Sequence, residues 1–395
     1  MSKSYKYCSK KALQCVPDFF IMGIAKAERS PLYEKKIGVI VGYGHMGGWH
    51  VNHYKNSDVV ELAGIYDIDP AKVKKAEENG IYAYPSFEAV LADGRVDFIL
   101  IATPNEFHKP YTLAALAAGK HVISEKPVTL SSAELEEMIA AAKAAGRIFT
   151  VHQNRRWDCD YLMMKEAYSS GDLGEVTSIE SRYHGSCGIP GDWRGEKAHG
   201  GGMIYDWGVH LIDQIVGIVH DREIERVFCH CHHITNFEVD DGFKLDLYYE
   251  HGLVVRIEVG TSNFISLPRF YMTGTNGGAV VADWQDNCRV VCCKNWAEKD
   301  VKPVVTPGGL TRTMAPRDEK TIATHEIPRP TPDVHDFYRN FVRAIEGEEE
   351  QYVTHAQMLY DMRIMEAAFA SDRTGLPVNF PYKRDFGRYA VPDYK

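Results

Sequence analysis

The chain has 395 residues, with 45 Lys and Arg against 54 Asp and Glu, for a formal net charge of −9 at pH 7. Hydrophobic residues at 45% and aromatic residues at 11% exclude a disordered chain, and the length exceeds what one core usually serves, so two domains are expected. The acidic balance, without any Lys/Arg cluster, speaks against a nucleic-acid footprint, and no apolar run is long enough to span a membrane.

Residues 1–35 are expected to form an arm that packs on the body or on a neighbouring subunit. Pro17 and Asp18 interrupt the apolar stretch that a signal peptide would need. Nine cysteines without a regular framework suit free thiols in a reducing compartment, hence a cytoplasmic location. Cys229-His230-Cys231-His232-His233 has metal-ligand chemistry. On a strand, however, Cys229, Cys231 and His233 would point one way and His230 and His232 the other, so the segment is read as strand and no metal is expected.

From residue 36 strand and helix signals alternate. Ile37 to Val41 is a buried strand running into Gly42-Tyr43-Gly44-His45-Met46-Gly47 and a helix to Tyr54. Such glycines serve a tight turn, the approach of backbone to a pyrophosphate, and close packing of helix on strand. A second strand, Val59 to Tyr66, ends at Asp67, about twenty residues past Gly47, where a carboxylate would accept the adenosine ribose hydroxyls. Asp67 would repel a 2′-phosphate, Asp69 adds negative charge, and Lys72 is expected to face solvent, so NAD is favoured over NADP.

Further strands are expected at Val96 to Ala102, His121 to Ser124 and Ile148 to Val151. Helices are expected at Val73 to Glu78, Pro110 to Ala118 and Ser131 to Ala145. This alternation implies a parallel sheet with ligands at the strands' carboxyl ends, beside Thr103-Pro104-Asn105 and Glu125-Lys126-Pro127. Lys126 follows a buried strand on that side, where a cation could stabilise a developing alkoxide. Past Gly200-Gly201-Gly202, Asp206, His210 and Asp213 have the spacing of one helix face. An imidazole there could take a proton near neutral pH, with a carboxylate one turn away to orient it.

After His152 the period changes. Val176 to Tyr183, Val227 to Ile234, Phe243 to Tyr249, Leu253 to Val259 and Arg269 to Thr273 read as strands, and Glu250-His251-Gly252 as a short turn favouring antiparallel pairing. Residues 294–332, rich in Pro, Thr and charge, read as an excursion from the sheet, expected to reach a neighbouring cleft. Asp333 to Ile345 and Thr354 to Ser371 are amphipathic helices expected to pack back on the first domain, with Thr354 as N-cap. The fold class is thus a Rossmann dinucleotide-binding domain followed by an open, mainly antiparallel sheet domain. The divisions are 1–35 (arm), 36–153, 154–332, 333–381 (returning helices) and 382–395 (tail).

Together the glycine turn, Ala102-Thr103-Pro104-Asn105 with His108, Glu125-Lys126-Pro127 and the Gly-Gly-Gly…Asp-x-x-x-His segment resemble the Gfo/Idh/MocA oxidoreductases. The likeness covers about Lys36 to Phe380, and Gln153 to Asp158 looks like the branch containing scyllo-inositol dehydrogenases. The resemblance implies that Lys126 touches both substrate and nicotinamide ribose, that His210 is the general base and that Asp206 assists. It places Gly42, Tyr43, Gly44, His45, Met46, Asp67, Thr103, Pro104, Asn105, His108, Glu125 and Asn154 with Lys126 around the cofactor, and Trp193, Arg194 and Asn154 at the substrate. It also implies a cis bond before Pro127 and a homodimer or homotetramer through the sheet. NADP-dependent members of the inositol branch lack an acidic residue at Asp67. The activity expected is NAD-dependent oxidation of a secondary hydroxyl of a polyol, sugar or glycoside. Redox-assisted glycoside cleavage with tightly held NAD, and a non-catalytic sugar or cofactor sensor, are the alternatives.

Overall fold

The computed structural model describes residues 34–298, 303–392 and 394; the expected N-terminal arm lies outside them except for its last two residues. The first sheet is made of β1 (Lys36–Val41), β2 (Val60–Tyr66), β3 (Phe98–Ile101), β4 (His121–Ser124) and β5 (Phe149–Val151). They lie in the order β2-β1-β3-β4-β5, and all are parallel. Helices α1 (His45–Lys55), α2 (Pro70–Glu78), α3 (Phe87–Ala92), α4 (His108–Ala117) and α5 (Ser132–Ala145) connect them. Every residue of β3 is fully buried, as a strand covered on both faces requires. The strand order reverses between β1 and β3, so the crevice at their carboxyl ends is where such a sheet takes a ligand.

Side chains fix the helix ends. Asp69, expected to add charge near the cofactor, also caps α2 through Ala71 N–H; Ser131 caps α5 and Gly146 closes it at φ 59°. The short helix α3, capped by Ser86, is absent from the sequence reading because six residues carry too little periodicity.

The second half holds α6 (Cys159–Ser169), β6 (Val176–His184), a π-helical turn at Ile204–Gly208, α7 (Val209–Ile218), β7 (Ile224–His232), β8 (Gly242–Tyr249), β9 (Val254–Gly260), β10 (Phe270–Gly274), β11 (Gly277–Val281), β12 (Cys288–Cys293), the hairpin β13 (Val304–Thr306) and β14 (Gly309–Thr311), β15 (Ile322–Ile327), α8 (His335–Glu346), α9 (His355–Thr374) and β16 (Val378–Asn379). Nine strands form one sheet in the order β15-β12-β11-β10-β6-β9-β8-β7-β16, antiparallel except for β6 against β9. The excursion expected over residues 294–332 is therefore partial. The hairpin leaves the sheet, but β15 returns to pair with β12 at its edge. Its Ala-Thr-His-Glu interior is poor in apolar residues because an edge strand buries little.

Helices α6, α7 and α9 pack on one face of this sheet. All ten residues of α7 are buried, so it is a core helix with no solvent face. Helix α8 packs on the first sheet, Phe341 against Phe98 at 5.2 Å, and α9 touches both α5 and β7. Thr354 and Gln357 form a capping box at the start of α9. The opposite sheet face carries cross-strand pairs such as Asp246 with Arg256, 2.7 Å apart. Cys229 and Cys231 are buried on one face of β7, His230 is exposed on the other, and the seven described cysteines are all free thiols.

The alignment of Asp206, His210 and Asp213 on one face does not hold. Asp206 lies in the π-helical turn, whereas His210 and Asp213 both lie in α7, where a three-residue step leaves them about 60° apart; Asp213 is drawn to a buried pair with Arg156, Nη2 to Oδ1 at 2.5 Å. Arg156 also donates to Gln357 and the Tyr352 carbonyl and lies 3.8 Å from the Tyr389 ring centroid, tying the tail to the core. Removing one partner strands the other charge, so Arg156→Ala should destabilise the fold by about 3–5 kcal/mol. Paired apolar replacement of both residues should recover much of that loss. Urea unfolding of the single and double variants measures it; equal losses in both would contradict the pairing.

Candidate active site

A cavity of about 650 Å³ opens at the carboxyl ends of β1–β4, walled on its far side by the segment leading into α7. Its cofactor-side lining includes Gly42, Gly44, His45 and Met46 from the glycine turn, Asp67 after β2, Thr103, Pro104 and Asn105 after β3, and Glu125 after β4. Gly42 has φ +94°, and a Cβ there would lie 2.5 Å from the Ala102 carbonyl oxygen, so the turn tolerates no side chain. At Gly47 a Cβ would strike the Gly42 carbonyl, whereas at Gly44 it would meet nothing within 4 Å. The turn is thus packed behind and open in front, at the start of α1, the shape that receives a pyrophosphate. Asp67 accepts the Tyr43 N–H at 2.6 Å and the Asp69 N–H at 2.8 Å, which holds its carboxylate at the cavity wall. These residues fit a dinucleotide.

Two of the expected cofactor contacts sit elsewhere. The Tyr43 ring faces an outer hollow beside Lys55 and Lys75, leaving only its N–H to the site, on Asp67. His108 is buried behind the cavity between the Pro127 and Thr103 carbonyls, at 2.8 and 3.0 Å, and as a neutral imidazole donates its one N–H to one of them.

Lys126, Asn154, Trp193, Arg194, Asp206 and His210 all line the other part of the cavity. The Lys126–Pro127 peptide is cis. Lys126 Nζ donates to the Asp206 carbonyl at 2.8 Å and to its Oδ1 at 3.1 Å, and Arg194 Nε stands 3.3 Å from Oδ2. Burial alone would raise the Asp206 pKa; the Lys126 and Arg194 charges outweigh it and hold the group ionised, below the usual carboxylate range. The glycine triplet brings Arg194 there: a Cβ at Gly201 would lie 2.3 Å from the Arg194 carbonyl oxygen. Asp206 is engaged with these cations, and no hydrogen bond joins it to His210. The His210 Nδ1 is buried without a partner among the described residues, and burial, followed by the charges of Lys126 and Arg155, holds its pKa well below 6.5.

Beneath Lys126 lies a group that no spacing in the sequence announces. His50 Nε2 and His152 Nδ1 donate to Glu125 Oε1 at 2.7 and 2.9 Å, and Tyr338 Oη donates to His50 Nδ1 at 2.7 Å. The three potential ligand atoms lie within 4.8 Å of one another, but these separations are hydrogen bonds between protonated nitrogens and a carboxylate, not the spread around an ion. Arg155, Trp207, Asp192, Phe107 and Tyr111 also line the cavity and were not singled out from sequence, although Arg155 and Trp207 adjoin residues that were.

Burial holds His50 neutral, with a pKa lowered from 6.5 to about 4. Because the folded pKa lies below the unfolded one, the unfolded chain binds the extra proton in this window. Stability is then lost as pH falls from 6.5 towards 4, by roughly 3 kcal/mol from this group. Glu125, held well below 4.5 against the effect of burial by its two histidines, adds a further loss below that pH. Urea midpoints at neutral pH and at about pH 4.5 should show the fall, and His50→Gln should flatten it; a midpoint independent of pH would contradict this.

Residues 36–153 match the family model described as oxidoreductase family, NAD-binding Rossmann fold, and residues 161–280 match the GFO/IDH/MocA C-terminal domain. The solved NAD-binding protein from Listeria innocua is 43% identical, with a TM-score of 0.84 over 88% of this chain and 100% of that one. The NADP(+)-dependent scyllo-inositol 2-dehydrogenase of Bacillus subtilis is 27% identical over 344 residues, 86% of this chain and 94% of that protein. The D-glucoside 3-dehydrogenase of Escherichia coli is 27% identical over 197 residues, 48% of this chain and 57% of that protein. No described helix is long and apolar enough to cross a membrane. Matched in both halves, the chain belongs to the Gfo/Idh/MocA family of NAD-binding oxidoreductases.

Proposed function

We propose that this oxidoreductase oxidises a secondary hydroxyl of a polyol, sugar or glycoside, with NAD rather than NADP. The observation that carries the reading is the convergence of Lys126, Asp206 and His210 on the cavity that the glycine turn opens into. Bound nicotinamide supplies the hydride acceptor. The chain's own residues handle the hydroxyl. Lys126, fixed by Asp206, polarises the oxygen and stabilises developing alkoxide charge, and neutral His210 accepts the proton. Asn154, which lines the same cavity, positions the nicotinamide end. Trp193 and Arg194 wall the substrate.

Asp67 supports the choice of cofactor. Its carboxylate is already fixed by two backbone N–H groups, so it can accept ribose hydroxyls but would oppose a 2′-phosphate. Relatives named for scyllo-inositol, myo-inositol and D-glucoside oxidation support the substrate class. The reading includes a homodimer or homotetramer through the sheet face that the described helices leave uncovered.

A screen of inositols, monosaccharides and glycosides with NAD and NADP tests it. At least one secondary alcohol should yield free NADH, with NAD preferred by about a hundredfold in kcat/KM. Glycoside cleavage without net NADH would contradict it. The pH profile gives a second test. Because the His210 pKa is lowered, its proton-accepting neutral form persists as pH falls through 6.5, so the acid limb of kcat/KM should lie below that value. A limb at or above 6.5 would remove His210 from the role.

A further inference from the structure

Arg155 occupies the turn after β5, next to Asn154, and its backbone carbonyl is held by Gln214 Nε2 at 2.8 Å. Its guanidinium carbon lies 4.3 Å from the ring centroid of Trp207 and 5.7 Å from those of Tyr183 and Trp284. Those rings brace one another, Tyr183 against Trp207 at 4.2 Å and against Trp284 at 4.4 Å. The Trp207 ring therefore packs against the cation with two more rings close by, which leaves the N–H edges for hydrogen bonding.

One of those edges is used and the other is not. Nη1 donates to Asp158 at 3.0 Å, while Nε and Nη2 have no hydrogen-bond partner among the described residues, although Arg155 lines the cavity and a quarter of its side chain is exposed. The same chain shows what that edge fits. Arg95 presents Nε and Nη2 together to Asp93, Arg156 to Asp213 and Arg256 to Asp246, each a two-point grip on one carboxylate. Arg155, which lines the cavity and is braced by the rings around it, keeps the same fork of two donors uncommitted among the described residues.

Neighbouring anions do not bar a negatively charged guest. Asp206 is committed to Lys126 and Arg194, and Asp192 to Arg194 at 2.8 Å. The fork is also close to the proposed chemistry: Trp207, on which Arg155 stacks, has its ring 6.1 Å from the imidazole of His210. We propose that the substrate is an acidic sugar, whose carboxylate docks side-on against Arg155 Nε and Nη2 while its reacting hydroxyl meets Lys126 and His210. This rests on the dehydrogenase reading above and narrows its substrate class. A neutral sugar would leave the fork to water and forgo a charge-assisted pair of hydrogen bonds.

The test compares D-glucuronate with D-glucose, D-galacturonate with D-galactose, and methyl β-D-glucuronide with methyl β-D-glucoside. Each is added to the NAD-loaded protein, wild type and Arg155→Gln, with NADH release and calorimetric binding both measured. At least one acid should exceed its neutral partner about tenfold or more in kcat/KM. Arg155→Gln should raise KM for that acid about 30- to 100-fold with kcat changed only a few-fold, and so erase the preference. Arg155→Lys should restore little, since an ammonium cannot make the side-on grip. Retained NAD affinity shows that the variants are folded. Neutral sugars turned over as well as acids, no binding of any acid, or an acid preference that survives in Arg155→Gln would each overturn the proposal. NADH from neutral sugars alone sinks the anchor and leaves the dehydrogenase standing. Arg155-dependent binding of an acid with no NADH sinks the dehydrogenase and supports the anchor.

Discussion

The Lys126 ammonium is the point at which the two sheets of this protein are joined around one cavity. It extends from the end of β4 and is gripped by both the backbone carbonyl and the carboxylate of Asp206. A half-buried pair of this kind costs desolvation on both sides, and it persists because each group has further partners. Asp206 gains Arg194, and the peptide of Lys126 is held from below through its N–H to Glu125 Oε2 at 3.2 Å. Glu125 in turn is pinned by His50 of α1 and by His152 after β5, and His50 by Tyr338 of α8. The position of one cation is therefore set by elements from both ends of the chain.

Local irregularity serves the same end on the opposite wall. The π-helical turn before α7 carries Asp206 at the cavity together with His210, while Asp213, further along α7, pairs with Arg156. Because α7 is buried all round, His210 enters the cavity with apolar packing behind it, which keeps the ring neutral. Lys126, Arg155 and Arg194 each carry an acidic partner, so the site gathers cations without accumulating net positive charge.

Much of this was legible in the sequence where one local rule governs the outcome. Gly42, Gly44, Gly47 and Asp67 have distinct steric or electrostatic duties at fixed spacings, and the buried strands β1 and β3 are continuous apolar runs. Lys126 could be placed because the residue after a parallel strand must lie on the ligand side. What escaped depended on tertiary partners. A period of 3.6 put Asp213 near His210, but a three-residue step leaves about 60° between them, and the buried Arg156 takes the Asp213 carboxylate. His108 is of a residue type suited to a ligand contact but is buried between two carbonyls behind the cavity. The pairing of His50 with His152, about a hundred residues apart, is invisible until the sheet brings them to one carboxylate. Arg155 was unreadable for the same reason, since its significance lies in the three rings around it.

The account turns on Lys126 acting on the reacting hydroxyl rather than merely bracing the fold. The most direct measurement is the single-turnover rate of NADH formation in Lys126→Ala with NAD bound beforehand, alongside the NAD dissociation constant of the same variant. The account predicts that the rate falls by at least about a thousandfold while NAD affinity changes only a few-fold. Hydride transfer at an undiminished rate, or a loss explained entirely by failure to bind NAD, would contradict it.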